Sequence, residues 1–322
     1  ASGDWSSDVC SSISSRLLVV SMVSFLVFRY IGDPTVSLLG EDASVAEREA
    51  LLHELGFDQS VPVQYAGYLK QVLSGQFGVS YRFRQPVTEV IASRVPATVE
   101  LSLAAALFAV MGGIGLGVYT AMRRQSLVSR TIMGVSLVGV SLPTFLIGIG
   151  LIYLFSVELK WLPAFGRGTL VDVGGWQTGL LTVSGLSALV LPAITLGFFK
   201  LTLIMRLVRT EMLDVLRSDY IRFARARGLR NATLYGRHAL RNTLIPVITI
   251  IGLQLGSLIA FAIVTETVFQ WPGLGLLFIT SIQGVDVPVI AAYLLMIGLL
   301  YVAINLVVDL LYAWADPRLR RR

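Results

Sequence analysis

Long apolar segments constrain the fold of this chain more than any other feature of its sequence. Hydrophobic residues make up 55% of the 322 residues and charged residues only 14%, and the mean hydropathy is +0.74. A soluble globular domain does not have this composition, whereas a helix of about 20 apolar residues crosses a bilayer. The sequence therefore predicts an all-α polytopic membrane protein with six transmembrane helices. The predicted spans are 13–31, 98–121, 132–157, 184–208, 244–268 and 288–311.

Arginine and lysine residues are concentrated in alternate loops between these segments. The segments 121–131, 206–243 and 313–322 carry sixteen of them, whereas 158–182 and 266–288 carry two. Short cytoplasmic loops of membrane proteins hold an excess of basic residues. The distribution predicts that both termini are cytoplasmic, and it explains the net charge of +6 without a nucleic-acid partner.

The most basic loop, 219–246, contains a helical pattern. Apolar residues at spacings of four and three predict one continuous helical stripe. The stripe consists of Met212, Leu216, Tyr220 and Phe223. Gly228 is expected to end this helix, because glycine favours the position just past a helix C-terminus. Asn231 is expected to cap a second short helix, and Asn242 or Thr243 to cap the next span.

This loop resembles the corresponding loop of permease subunits in the dipeptide, oligopeptide and nickel branch of ABC importers. The resemblance rests on the runs Tyr220-Ile221-Arg222-Phe223-Ala224-Arg225-Ala226-Arg227-Gly228 and Arg237-His238-Ala239-Leu240-Arg241-Asn242. The general importer pattern has Glu-Ala-Ala and a later Leu-Pro, where this chain has Phe223-Ala224-Arg225-Ala226 and Leu240-Arg241, as in the peptide branch. The resemblance implies a type I ABC-importer permease fold with a coupling helix that docks on an ATPase subunit. The residues that it assigns to ATPase coupling are Tyr220, Arg222, Phe223, Ala224, Arg225, Ala226 and Gly228.

The resemblance also implies the partners of the chain. They are a homologous second permease subunit, two ABC ATPase subunits and an extracytoplasmic solute-binding protein, assembled in a bacterial or archaeal inner membrane. No GxxxxGK[ST] loop occurs in the sequence, so ATP and Mg²⁺ are expected on the ATPase subunits, with no cofactor bound by this chain. The chain is accordingly not expected to be an enzyme. No catalytic site is predicted, and no metal site either, since His53 and His238 fall on opposite sides of the membrane and there is a single cysteine.

Four regions are predicted along the chain. Residues 1–12 have no basic and apolar targeting pattern and are expected to be a non-native or disordered leader. Residues 13–31 are expected to form the first span in truncated form, because Ser14, Ser15 and Arg16 shorten its apolar core. An external helical domain is predicted at 32–97, and the transmembrane permease domain at 98–322, with a cytoplasmic coupling loop at 209–243.

The external domain is predicted to contain helices at 45–55, 62–74 and 86–94. Its sequence resembles the external domain that marks the peptide-importer branch. The runs that carry this resemblance are Gly32-Asp33-Pro34, Leu55-Gly56-Phe57-Asp58-Gln59, Val63-Gln64-Tyr65 and Gly75-Gln76-Phe77-Gly78-Val79-Ser80. The domain either docks the solute-binding protein or only stabilises the outer ends of the spans.

Two ionisable residues are candidates for lining the transport pathway. Lys200 lies within the fourth span, where it either meets the carboxylate of a peptide or snorkels or pairs with a neighbouring subunit. Glu266 begins the run 266–275, which resembles a second marker of the family together with 286–289. It is expected to line the pathway, to form an interfacial cap or to contact a partner. The glycines of the second span are expected to pack against other helices or to take part directly in a pore, and they are Gly112, Gly113, Gly115 and Gly117. Pro143 is expected to kink the third span or to mark an irregular turn.

Two function classes are compatible with these features. The first is the transmembrane permease subunit of an ATP-driven importer, which forms half of the pathway for di- and oligopeptides or a related small solute such as a nickel chelate. The alternative is an ion-coupled secondary transporter that works without an ATPase. Such transporters usually have internal repeats and ion sites at the membrane midplane, and neither is visible in this sequence.

Overall fold

The computed structural model describes residues 2–30, 44–54 and 58–315, and it is predominantly helical. The helices are α1 (Ser2–Tyr30), α2 (Val45–Glu54), α3 (Val61–Leu73), α4 (Val87–Met122), α5 (Leu127–Ser141), α6 (Thr144–Leu151), α7 (Val183–Arg217), α8 (Asp219–Ala226), α9 (Asn231–Thr233), α10 (Leu240–Val268), α11 (Leu274–Gln283) and α12 (Val287–Ala315). Two π-helical segments, π1 (Ile152–Glu158) and π2 (Leu234–Ala239), continue α6 and precede α10. The strands β1 (Val171–Val173) and β2 (Trp176–Thr178) form an antiparallel hairpin. The predicted helical class is confirmed.

Several helices are long and apolar enough to cross a bilayer. Within the described residues there are three, Val87–Met122, Val183–Arg217 and Val287–Ile304, and a fourth if α5 and the segment 144–158 form one bent span. The prediction of a polytopic membrane protein is confirmed, and the count of six spans stays a prediction. The runs Gly32-Asp33-Pro34 and Leu55-Gly56-Phe57 and the basic segment 316–322 lie outside the described residues.

The chain forms two compact units. One comprises residues 1–96 and 273–322, and the other comprises residues 97–272. In the first unit, α1 packs against α3 and α12. The Ser24 hydroxyl donates to the carbonyl oxygen of Ala291 at 2.6 Å and lies 2.7 Å from the hydroxyl of Tyr68. These polar contacts fix the face that α1 presents to its two neighbours.

The Asp286 carboxylate organises the turn before α4 in the same unit. Asp286 is fully buried and accepts hydrogen bonds from the Ser80 hydroxyl and from the backbone N–H of Tyr81, the latter at 3.0 Å. Burial, together with this carboxylate, raises the pKa of Tyr81 to about 12. Asp286 belongs to the run 286–289, which the sequence singled out, and its observed role is to hold a loop.

Helix α4 is longer than the sequence predicted. A separate helix was expected at 86–94, but α4 begins at Val87 and continues through Pro96 to Met122. Proline inside a helix removes one hydrogen bond, which makes a break plausible from sequence. Here the helix continues, so the predicted boundary at residues 97 and 98 falls within a single element.

The bend between α5 and α6 follows from its sequence. Pro143 precedes α6, and Leu142 has the extended backbone (ψ 137°) that a following proline favours. The axes of the segments 127–141 and 144–158 differ by 116°. The irregularity predicted at Pro143 is confirmed, as a sharp break rather than a gentle kink.

The segment expected to be a leader lies within α1. Residues 2–12 are helical in the structure and continuous with the rest of α1. Their expected disorder is therefore not seen. Their expected non-native origin, and the truncation of the span at 13–31, stay predictions.

Candidate functional site

Helix α8 lies at the centre of the segment predicted to couple to an ATPase. Helix α7 ends at Arg217, and Ser218 has an extended backbone (ψ 151°) that redirects the chain. Gly228 follows the end of α8 with a φ of +78°, a left-handed conformation that glycine adopts without strain. The glycine break predicted here is present, and it separates α8 from the next helical segment.

Two apolar residues anchor α8 to its own unit. Ile221 and Ala224 are three positions apart, so they lie on one face of the helix, and both are buried. They belong to one apolar cluster with Met212 of α7, Leu234 of π2 and Ala239. The small size of Ala224 allows close approach of α8 to the neighbouring backbone. These contacts attach α8 to α7 and π2.

Tyr220 provides a polar anchor at the start of α8. Its hydroxyl donates to the carbonyl oxygen of His238 at 2.7 Å and accepts from Nδ2 of Asn242 at 2.8 Å. These contacts connect α8 to π2 and to the first turn of α10. π-helical segments of this kind are often found at functional sites.

The opposite face of α8 is open to solvent. Arg222, Phe223, Arg225 and Ala226 are exposed, and Phe223 retains 64% of its accessible surface. The guanidinium of Arg227 lies 5.3 Å from the centroid of the Phe223 ring. A basic and aromatic surface on an anchored helix is suited to binding a partner protein, because aromatic and arginine side chains carry much of the energy of protein interfaces.

The prediction of one apolar stripe from Met212 to Phe223 is wrong beyond α7. Met212 is buried as expected, but Phe223 points to solvent and Ile221 takes the inward position. The reason is the extended Ser218, which interrupts the helix and changes its register. The pair Ser218-Asp219, typical of a helix start, was the signal for this interruption.

The helix caps predicted around this loop are also wrong. Helix α10 begins at Leu240 and is continuous with π2, so Asn242 and Thr243 lie inside it rather than at its start. The Thr243 hydroxyl donates to the carbonyl oxygen of Ala239 at 3.0 Å. Asn231 is the first residue of α9, and no side-chain cap is formed at Arg230.

Glycines bring α4 and α7 into close contact. A Cβ added to Gly113 would lie 2.7 Å from Cγ2 of Ile204, and one added to Gly117 would lie 2.8 Å from the carbonyl oxygen of Met205. Such distances leave no room for a side chain, so the predicted packing role is confirmed for Gly113 and Gly117. It is wrong for Gly115, where a Cβ would meet nothing within 4 Å. Helices α4 and α7 are thus closely packed, and α8 contacts α7.

Glu266 lies in a packed junction at the end of α10. Its carboxylate is fully buried and accepts a hydrogen bond from the Thr98 hydroxyl at 2.6 Å. The indole N–H of Trp271 donates to the carbonyl oxygen of Ala97 at 2.9 Å. The predicted roles of Glu266, which are lining of the pathway, an interfacial cap and a contact with a partner, all stay predictions.

Lys200 of α7 lies near two aromatic rings, one on α7 and one on α10. Only 7% of the residue is exposed, and its Nζ lies 5.6 and 5.7 Å from the ring centroids of Phe199 and Phe261. Cation–π attraction stabilises a desolvated ammonium in such a place. The predicted contact of Lys200 with a peptide is not tested by this arrangement.

Arg167 and Glu100 form a buried ion pair that the sequence did not predict. Arg167 Nη2 lies 2.6 Å from the Glu100 carboxylate, and each side chain is only 4% exposed. The indole N–H of Trp176 donates to the same carboxylate at 3.3 Å, and Arg167 also donates to the carbonyl oxygen of Gln177 at 2.7 Å. In the sequence, Glu100 lies near the start of a predicted span, where an unpaired charge is energetically costly. That position was the signal that Glu100 has a partner of opposite charge.

The described ranges contain no group of three or more His, Cys, Asp or Glu side chains placed to hold a metal ion.

The chain is similar to membrane components of transport systems. Residues 113–321 match the family described as "Binding-protein-dependent transport system inner membrane component", and residues 11–102 match "Binding-prot-dependent transport system membrane comp, N-term". A crystal structure of an amino acid ABC transporter with histidines aligns with a TM-score of 0.51 at 12% identity. The alignment covers 70% of this chain and 93% of that chain, and it supports the fold alone.

Two curated relatives match almost the whole chain. The chain is 42% identical over 317 residues to the di/tripeptide transport system permease protein DppB of Pseudomonas aeruginosa (strain UCBPP-PA14), with 94% of each protein covered. It is 38% identical over 305 residues to the glutathione transport system permease protein GsiC of Salmonella choleraesuis (strain SC-B67), again with 94% of each covered. The chain therefore belongs to the family of binding-protein-dependent transport system inner membrane components, the permease subunits of ABC importers.

Proposed function

We propose that this permease subunit forms half of the pathway by which di- and oligopeptides enter the cell through an ATP-driven importer. The observation that carries the proposal is α8, a helix anchored by Ile221 and Ala224 whose basic and aromatic face is exposed. The relatives named for di/tripeptide and glutathione transport support a peptide as the solute. A nickel chelate is the other solute class to which the sequence resemblance extends.

The proposed assembly contains a homologous second permease subunit, two ABC ATPase subunits and an extracytoplasmic solute-binding protein. It lies in the inner membrane of a bacterium or archaeon, with both termini of this chain in the cytoplasm. ATP and Mg²⁺ are held by the ATPase subunits, because this chain lacks a phosphate-binding GxxxxGK[ST] loop. The chain is the transport subunit of the system and not its enzyme.

In the proposed mechanism, α8 transmits the motion of the ATPase subunits. The exposed Phe223 and its neighbouring arginines dock on the ATPase, while Ile221 and Ala224 fix α8 to α7. Because glycines hold α7 tightly against α4, a displacement of α8 moves both helices together. Alternating access then follows from rigid movement of packed helices, which expose the pathway to one side of the membrane at a time.

Two buried residues are proposed to act near the pathway. Lys200, whose Nζ lies 5.7 Å from the Phe261 ring, is proposed to attract the carboxylate of a peptide. Glu266 fixes the junction between α10 and α4 through Thr98 and influences the pathway by positioning those helices. Direct contact of Glu266 with solute is the weaker of its two roles.

The docking proposal is tested by removing the exposed face of α8. In the assembled transporter, the double variant Arg222→Ala/Phe223→Ala is expected to reduce peptide uptake and solute-stimulated ATP hydrolysis at least tenfold, since losing central aromatic and arginine contacts costs roughly 2 kcal/mol or more. Both side chains are exposed, so folding of the chain should be preserved. Uptake of labelled peptide into proteoliposomes and phosphate release measure the two activities.

The matched control is Arg123→Ala, which removes an exposed arginine from another loop predicted to be cytoplasmic. Its uptake and ATP hydrolysis are expected to equal those of the wild type. Wild-type coupling in the double variant would contradict the docking role of α8. Peptide transport by this chain alone, driven by an ion gradient, would instead establish a secondary transporter.

A further inference from the structure

A groove lined by four arginines lies between α5 and α7. The arginines are Arg124, Arg130, Arg206 and Arg209, and the groove has a volume of about 530 Å³. Arg124 belongs to the turn between α4 and α5, whereas Arg130 lies in the first turn of α5. Like charges placed around one opening repel each other, so this arrangement indicates that an anion is needed there.

No carboxylate compensates these charges within the ranges that the structure describes. The ion pairs there are His53–Asp58, Arg167–Glu100 and Arg222–Asp219. Arg206 and Arg209 instead donate to the hydroxyls of Ser136 and Ser129, at 3.4 and 3.3 Å. The Nε of Arg206 is buried without a hydrogen-bond partner. A partly buried guanidinium with only neutral acceptors is poorly satisfied, and an anion from outside this chain would satisfy it.

An apolar strip continues from the charged end of the groove along α5. Arg130, Gly134 and Leu137 are separated by four and three positions, so they lie on one face of the helix. A Cβ added to Gly134 would meet nothing within 4 Å, and Leu137 is 57% exposed. The groove therefore offers positive charge at one end and open apolar surface along the other.

We propose that this groove binds an anionic glycerophospholipid. The phosphate lies against the four arginines, and an acyl chain follows Gly134 and Leu137 along α5. The segment 121–131 is predicted to lie at the cytoplasmic membrane surface, where basic residues meet anionic headgroups. A free phosphate ion or a peptide carboxylate would satisfy the charges but leave the apolar strip uncovered, so the lipid fits better. This inference is independent of the solute that the transporter carries.

The first test measures the lipid retained by the assembled transporter. The purified complex is incubated with equal amounts of phosphatidylglycerol and phosphatidylcholine, and bound lipid is counted by native mass spectrometry. The wild type is expected to retain phosphatidylglycerol selectively. The variant Arg124→Gln/Arg130→Gln is expected to bind phosphatidylglycerol about thirtyfold more weakly, because each of the two arginines that it removes contributes to binding of an anionic headgroup. The control Arg123→Gln removes an exposed arginine of the same turn that does not line the groove, and it is expected to have no effect.

A second variant tests the apolar strip without changing the charge. Gly134→Leu fills the open groove, and leucine favours a helix more than glycine does, so the fold should be kept. This variant is expected to lose selective retention of phosphatidylglycerol. Its matched control is Gly115→Leu, because a Cβ at Gly115 of α4 also meets nothing within 4 Å. The control is expected to retain the lipid as the wild type does.

The other outcomes of these two tests also support or contradict the lipid proposal. Wild-type retention in both groove variants, or an equal loss in the two controls, would overturn it. Displacement of the bound lipid by inorganic phosphate would assign the groove to a free anion, and displacement by a transported peptide would assign it to solute; both results would overturn the lipid proposal. Retention that resists both competitors supports it.

Discussion

The ion pair between Arg167 and Glu100 shows how single residues fix the loop that precedes α7. Both side chains are almost fully buried, at 4% exposure each, and Trp176 adds a third polar contact to the same carboxylate. Arg167 also lies 5.9 Å from the ring centroid of Trp271, at the end of α10. The pair thus connects the segment 159–182 with α4 and with the junction that contains Glu266.

Replacing one partner of this pair should destabilise the permease strongly. Arg167→Met leaves the Glu100 carboxylate buried without its counter-charge, which costs about 3–5 kcal/mol in other proteins. We expect a clearly lower midpoint of thermal unfolding for the purified transporter, measured by tryptophan fluorescence in detergent. The exposed Lys160 of the same loop provides the control Lys160→Met, for which no change is expected.

The double variant Glu100→Leu/Arg167→Met separates charge from packing. It removes both charges together, so much of the stability lost in Arg167→Met should return. Equal stability of Arg167→Met and the wild type would show that Arg167 does not stabilise the buried Glu100 carboxylate.

At the scale of elements, the proposed coupling depends on the close contact between α4 and α7. Gly113 and Gly117 are separated by one helical turn and meet Ile204, Met205 and Val208 of α7. Small residues at such an interface let helix backbones approach closely in lipid, where packing rather than hydrophobicity drives association. The pair α4 and α7 is therefore sensitive to a single added methyl group.

Two glycines of α4 allow a matched test of this contact. In Gly117→Ala the new Cβ would lie 2.7 Å from Cβ of Val208, so the helices must separate, at a cost of about 1–3 kcal/mol. Gly115→Ala, two positions away, meets no atom within 4 Å and is expected to be neutral or slightly stabilising. Thermal unfolding and peptide uptake of both variants should show a loss only for Gly117→Ala. Equal behaviour of the two variants would mean that the contact is not rigid.

Across the whole molecule, the sequence predicted the features that extend over many residues. It did not predict those that depend on a single turn or on a contact between distant residues. Hydropathy predicted the long helices, because every residue of an apolar segment contributes to the pattern. Pro143 predicted a break but not its angle of 116°, which is set by packing. The register of α8 was missed because one extended residue, Ser218, reverses which side chains face inward. The Glu100–Arg167 pair joins residues 67 positions apart, a separation that no local pattern reveals.

At the scale of the whole molecule, the distribution of basic residues predicts how the chain is oriented in the membrane. Sixteen arginines and lysines in the segments 121–131, 206–243 and 313–322, against two in 158–182 and 266–288, predict that the first set lies in the cytoplasm. Single cysteines introduced into a Cys10→Ser background should therefore differ in their reaction with a membrane-impermeant maleimide. Lys160→Cys should be labelled in intact cells, and Arg123→Cys only after permeabilisation. The reverse labelling would place α8 outside the cell, where no ATPase subunit could reach it, and would contradict the coupling role together with the topology.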